Sequence, residues 1–144
     1  MSEPAWHRHA VRVYWEDTDA SGIVFYANYL RYTERARTEW LRRLGVNQSE
    51  LLDETGTAFV VRHVSVGYRA PARFDDVLEV RSRLTELRPA SLTLEQRVQR
   101  GEELLVQSSV QLACIDRQGR PKRLPQRVRA ALDVTGPDSI PPQS

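Results

Sequence analysis

Between Asn28 and Gly45 the apolar residues change their spacing, and that change constrains the fold more than any other feature of the chain. Tyr29, Tyr32, Ala36, Trp40 and Leu44 recur every three to four residues, with Leu30, Thr33, Arg37 and Leu41 beside them. Such a repeat predicts one amphipathic helix, ended by Gly45. Glu34, Arg35, Glu39, Arg42 and Arg43 fall mostly on its wet side, where Glu39 and Arg43 at i,i+4 lend small support. Elsewhere the period is two. Val11, Val13 and Trp15 alternate ahead of the helix. After a short helix expected near residues 49–54 come four strand candidates: valine-rich 58–69, then 77–87, 91–99, and the run bearing Val106, Ser108, Val110, Leu112 and Cys114. The residues Gly101, Glu102 and Glu103 suggest a hairpin turn, and 127–132 a last helical turn. One strand, one long helix and then a meander of strands predicts an α+β domain with the helix packed on one sheet face. The aromatic stripe of that helix reads as core.

The chain has 144 residues, enough for one domain with a sizeable core, and residues 1–134 are assigned to it. The remainder, 135–144, reads TGPDSIPPQS and is expected to be a floppy tail. A formal net charge of +2, spread along the chain, does not call for nucleic acid. Cys114, the single cysteine, allows no intrachain disulfide, and the N-terminal MSEPAWHRHA lacks the apolar segment of a secretion signal. No apolar run approaches the roughly 18 residues of a membrane span. The expected compartment is the cytoplasm, where the acceptor pattern Asn47-Gln48-Ser49 carries no meaning.

Candidate catalysts are few. His7 and His9 fall in a terminal segment, His63 falls in a strand, and no two histidines have metal-ligand spacing. Cys114 lies on an apolar strand face, where an inert thiol is expected. No nucleophile elbow, P-loop or dinucleotide fingerprint is present, so no metal or cofactor is called for. The loop Glu16-Asp17-Thr18-Asp19-Ala20-Ser21-Gly22 remains. It fits the first half of a calcium loop, but Asn28 stands where the bidentate glutamate belongs. Its carboxylates can be mere loop residues or helix caps. They can also be catalytic: Gly22 allows a ligand close to the backbone, and the following helix start offers N–H groups with partial positive charge. A carboxylate seven residues earlier could attack the carbonyl carbon held there or draw a proton from water.

These residues carry a family resemblance. The run from Val13 to Tyr29, VYWEDTDASGIVFYANY, with Glu34-Arg35-Ala36-Arg37-Thr38-Glu39, resembles the signature of YbgC-like acyl-CoA thioesterases and is similar to that of 4-hydroxybenzoyl-CoA thioesterases. A second block, from Tyr68 to Leu78, resembles the family segment entering the third strand. The resemblance covers about residues 10 to 130. It implies a hotdog fold, an antiparallel sheet of about five strands wrapped around one helix, in a homodimer or homotetramer with sites between subunits. It implies an acyl-CoA substrate, Asp19 as catalytic carboxylate, Asp17 as a loop support, and Tyr26 as the carbonyl-polarising backbone N–H. Val60, Val61 and Arg62 match the strand lining the acyl and pantetheine channel, although either valine also suits a core. Arg88 and Ser91 match a segment approaching the CoA phosphates or pantetheine, although a solvated loop arginine is the plainer reading of Arg88. Two positions depart from the pattern: many YbgC-like members have tyrosine at Trp15 and histidine at Tyr26. The 4-hydroxybenzoyl-CoA enzymes share the tyrosine at Tyr26, so aromatic and short aliphatic acyl groups both stay open. A non-catalytic hotdog protein that binds acyl-CoA or a partner is the alternative. A hotdog dehydratase would need a histidine that is absent, and a membrane or envelope complex would use the basic surface.

Overall fold

The computed structural model describes residues 6–135. Strand β1 (His7–Arg12) leads through a single 3₁₀ turn (Trp15–Asp17) and a loop into helix α1 (Asn28–Arg43), followed by α2 (Gln48–Thr55). Four strands come next, β2 (Ala58–Tyr68), β3 (Val77–Arg88), β4 (Ser91–Arg100) and β5 (Glu103–Ile115), and then α3 (Gln126–Thr135). From residue 136 the expected tail lies outside the described residues.

The period-two segments are strands because alternate side chains are buried: Leu78, Val80, Ser82 and Leu84 in β3, and Leu92, Leu94, Gln96 and Val98 in β4. Three expectations need correction. The first strand starts and ends earlier, so His7 and His9 pair with Ser82 and Val80 instead of standing in a terminal segment. Trp15 leaves the strand for the 3₁₀ turn, where it is 64% exposed and stacks 3.9 Å from the Phe74 ring. The cause is local: Tyr14 N–H donates to Asp17 Oδ2 at 2.9 Å and Asp17 N–H to Tyr14 O at 3.0 Å, which turns the chain. On α1 the ion pair is Arg42 with Glu39 at 3.2 Å, one turn apart at i,i+3, rather than Glu39 with Arg43.

All pairings are antiparallel, in the order β1-β3-β4-β5-β2. Arg62, Thr85 and Leu105 are extra residues at register shifts. Such bulges increase local twist and help a sheet curl around a helix. Because β2 and β3 are not neighbours, residues 69–76 cross the ends of β5 and β4. Arg69 N–H donates to Leu105 O at 2.8 Å, and Arg100 Nη1 to Pro71 O at 3.3 Å. α1 packs over β3, β1 and β4. Apolar clusters surround its two halves, Tyr29, Tyr32 and Ala36 in one, Trp40 and Leu41 in the other. A polar layer meets its middle: the fully buried Gln96 donates through Nε2 to Thr33 O at 3.0 Å and Ser82 Oγ at 2.9 Å, and accepts from Arg37 Nη1 at 3.0 Å.

Candidate active site

The crossing segment 69–76 supports the loop that the sequence singled out. Ile23 bridges Arg73, Val24 N–H donates to Ala72 O at 2.9 Å, and Phe74 N–H donates to Gly22 O at 3.0 Å. Thr18 and Val24 bridge each other, which makes residues 19–22 a tight turn. Gly22 has φ +79°, a conformation that glycine adopts without steric cost.

Asp19 is exposed at this turn. Its Oδ1 accepts from Ser21 Oγ at 2.6 Å, Ser21 N–H at 2.8 Å and Ile23 N–H at 3.4 Å. The Ser21 hydroxyl first, and the Ser21 and Ile23 amides with it, hold the carboxyl below its ordinary pKa, so it is ionised at neutral pH. Its Oδ2 is engaged by no group among the described residues.

Asp17 is tied into the frame. Burial raises its pKa, but bonds from Tyr14 N–H and Asn28 Nδ2, with the nearby Tyr32 hydroxyl, outweigh burial and bring it below the ordinary value. Asn28 Nδ2 donates to Asp17 Oδ1 at 2.9 Å, and Phe25 N–H donates to Asp17 O at 3.0 Å. The loop is thereby bound at its Asp17 end to the start of α1. The Tyr32 hydroxyl is buried without a hydrogen bond of good geometry, and burial, with Asp17 beside it, keeps the phenol protonated. Asn28 went unrecognised as the partner of Asp17, since in the sequence it served only to rule out calcium. An amide at the first helical position after an acidic loop is the signal that could have found it.

Helix α1 starts without a side-chain cap. Among the described residues the N–H groups of Tyr26 and Ala27 meet no acceptor. The Tyr26 ring is 63% exposed and meets Tyr68 edge-on at 6.1 Å. Tyr29 is buried beneath, its hydroxyl accepting from Ala72 N–H at 2.9 Å.

Asp19 and Gly22 thus share one turn, Gly22 N–H donating to Asp19 O at 3.1 Å, and Tyr26 follows at the start of α1. The other expected site residues do not join them. Val60, Val61 and Arg62 lie near the start of β2, the valines 41% and 48% exposed, with Arg62 the extra residue of a bulge. Arg88 is exposed and Ser91 buried, flanking the β3–β4 turn. One transverse row links these groups, Val60 pairing with Ala113, Ala113 with Ser91, and Ser91 with Arg88. Tyr68, beside Tyr26, is at the opposite end of β2 from Val60, about 26 Å away at a rise of ~3.3 Å per residue.

The chain matches the model of the thioesterase-like superfamily over residues 13–132. It is 43% identical over 123 residues to the acyl-CoA thioesterase YbgC of Haemophilus influenzae, a match covering 85% of this chain and 90% of that protein. Identity to the acyl-CoA thioester hydrolase YbgC of Escherichia coli is 45% over 125 residues, covering 85% and 92%. Among solved structures, a probable thioesterase from Bartonella henselae aligns with TM-score 0.80 and 40% identity, over 84% of this chain and 100% of that one.

Proposed function

Because the chain belongs to the thioesterase-like superfamily and is an acyl-CoA thioesterase, we propose that Asp19 is its catalytic carboxylate and that the Tyr26 N–H polarises the thioester carbonyl. The non-catalytic alternative is thereby set aside. One observation carries the reading: an exposed, ionised carboxylate with an unengaged oxygen shares a loop with a helix start whose N–H groups lack acceptors. Such donors stabilise the charge that develops on a carbonyl oxygen under attack. In one route Asp19 Oδ2 bonds to the acyl carbon, the C–S bond breaks, CoA leaves as thiolate, and water then cleaves the mixed anhydride. In the other, Asp19 takes a proton from a water whose oxygen bonds to the same carbon, and the collapse of the oxyanion expels the thiolate. Both routes give free acid and CoA.

The site is shared between two copies in this proposal. β2 is an edge strand with neither proline nor lysine, and Val60, Val61 and Val64 on it are exposed. Such an edge is a template for strand pairing. Antiparallel pairing of two β2 strands would set Val60 of one copy opposite Tyr68 of the other, closing the 26 Å gap estimated above from the ~3.3 Å strand rise. Gly22, Val60, Val61 and Arg62 then contact the acyl and pantetheine parts, and Arg88 and Ser91 the far end of CoA. The assembly is a homodimer or homotetramer. The proposed compartment is the cytoplasm, and among the described residues no helix is long and apolar enough to cross a membrane.

The test is Asp19→Asn on a panel of aromatic and aliphatic acyl-CoAs with detection of free thiol. The substitution keeps size but removes the nucleophile or base, so kcat should fall about 10²-fold or more while binding survives. Near wild-type turnover on the best substrate would refute the assignment. Single turnover in oxygen-labelled water separates the routes, since an anhydride leaves label in the Asp19 side chain.

A further inference from the structure

Tyr32 is fully buried, yet its hydroxyl has no hydrogen-bond partner of good geometry among the described residues. A buried hydroxyl without a partner costs stability, and phenylalanine would fill the same space without that cost. Tyr29, whose ring meets that of Tyr32 edge-on at 6.1 Å, differs in this respect, because Ala72 N–H engages its hydroxyl at 2.9 Å. What stands beside the Tyr32 hydroxyl is polar: Asn28, one turn earlier on the same face of α1, and the Asp17 carboxylate that Asn28 holds.

Asp17 can take the phenol proton as a further hydrogen bond. Tyr14 N–H occupies its Oδ2 and Asn28 Nδ2 its Oδ1, both at 2.9 Å, and a carboxylate has about four acceptor sites. The Asn28–Asp17 bond also closes the segment from residue 17 to residue 28, and Phe25 N–H to Asp17 O at 3.0 Å closes it again. Both groups assigned to the chemistry lie inside that segment, Asp19 two residues after one end and Tyr26 two residues before the other. A misplacement of ~1 Å between attacking carboxylate and polarising donor can cost about 10²-fold in rate. Catalytic hydrogen bonds that are poorly aligned in a free enzyme often tighten around the substrate.

We propose that Asn28 and Tyr32 are positioning residues for thioester cleavage: Asn28 ties the Asp17 carboxylate to the helix start, and the Tyr32 O–H turns onto that carboxylate as the loop draws in around the acyl group. Neither residue touches the thioester. Both act through Asp17 on the spacing between Asp19 and the Tyr26 N–H, so the proposal rests on the assignment of those two groups above.

The test is Tyr32→Phe, which keeps the ring and removes only the hydroxyl. Free-thiol kinetics on the best acyl-CoA should show kcat about tenfold lower with KM within about twofold. Urea unfolding should show stability unchanged or raised, since an unpartnered buried hydroxyl has gone. A residue that only fills the core gives wild-type kcat, or a rate that falls only with lost stability; either result, or a raised KM at wild-type kcat, would overturn the role of Tyr32. Asn28→Ala should likewise lower kcat about tenfold or more at nearly unchanged KM, and wild-type kcat there would overturn the role of Asn28. In an Asp17→Ala background, Tyr32→Phe should change kcat by less than about twofold, because the hydroxyl has lost the acceptor it acts through. A full further loss would contradict the route through Asp17. If Asp17→Ala or Asn28→Ala does not fold, Tyr32→Phe decides alone. Failure of the Asp19 assignment is distinguishable: it appears as retained kcat in Asp19→Asn, whereas failure of the positioning role leaves Asp19→Asn impaired and Tyr32→Phe at the wild-type rate.

Discussion

Replacing Gln96 with leucine should destabilise the protein far more than a near-isosteric change in an apolar sheet face suggests. Gln96 is fully buried and makes three side-chain hydrogen bonds, to Thr33 O, Ser82 Oγ and Arg37 Nη1. Burial lowers the Arg37 pKa, with Glu34 opposing, so this guanidinium is already poorly solvated. Losing its acceptor costs about 1.5–3 kcal/mol, and the buried Ser82 hydroxyl loses a partner worth ~1 kcal/mol or more. The Thr33 carbonyl is in mid-helix and loses only a second bond. Leucine returns about 1 kcal/mol through apolar burial. The net loss is about 1.5–3 kcal/mol, roughly 5–10 °C in Tm for a domain of this size. Urea unfolding at fixed protein concentration measures it. Adding Arg37→Leu removes the stranded cation, so the double variant should be less destabilised than the sum of the singles by ~1.5 kcal/mol. A Gln96→Leu variant within ~1 kcal/mol of wild type, or strict additivity in the cycle, would refute the reasoning.

Other outcomes follow from the loop and the edge strand. Asp17→Asn should reduce turnover less than Asp19→Asn, because Asp17 is engaged by Tyr14 and Asn28 away from the reacting carbon. Since the folded pKa of Asp17 lies below the ordinary 3.8, its stabilisation is present above that value and is lost as pH falls through the folded pKa. The stability gap between wild type and Asp17→Asn, measured by urea unfolding across pH, should therefore be full at neutrality and close in acid; a gap that widens in acid would contradict it. Val64→Lys, on the exposed face of β2, should shift the protein toward monomer in light scattering and lower kcat with it. A fully active monomer would sink the shared site.

Much of the architecture was legible because it is written locally. The aromatic spacing of α1 and the alternation in β3, β4 and β5 report which faces are buried, and that requires no knowledge of the partner surface. The loop from Asp17 to Gly22 was legible for a similar reason: turn chemistry, two carboxylates and a helix start fall within one short stretch. Trp15 was misread because alternation cannot detect the Asp17 bonds that bend the chain. Gln96 matched the apolar rhythm of β4 in position but not in chemistry, and only the packed helix reveals its role.

By itself, then, the sequence determined the element order, the one long helix, the candidate carboxylate and the family to which these belong. The tertiary structure decided the relations between distant segments. Pairing of β2 with β5 made β2 an exposed edge, sent residues 69–76 beneath the Asp19 loop, and aligned Val60, Ser91 and Arg88 on a single row. It also folded α3 and the loop before it onto the β3–β4 turn, where Leu124 N–H meets Pro89 O and Arg129 Nη1 meets Arg88 O. Periodicity records which side of a segment is buried; which segments meet depends on long-range pairing, a choice made by the chain as a whole.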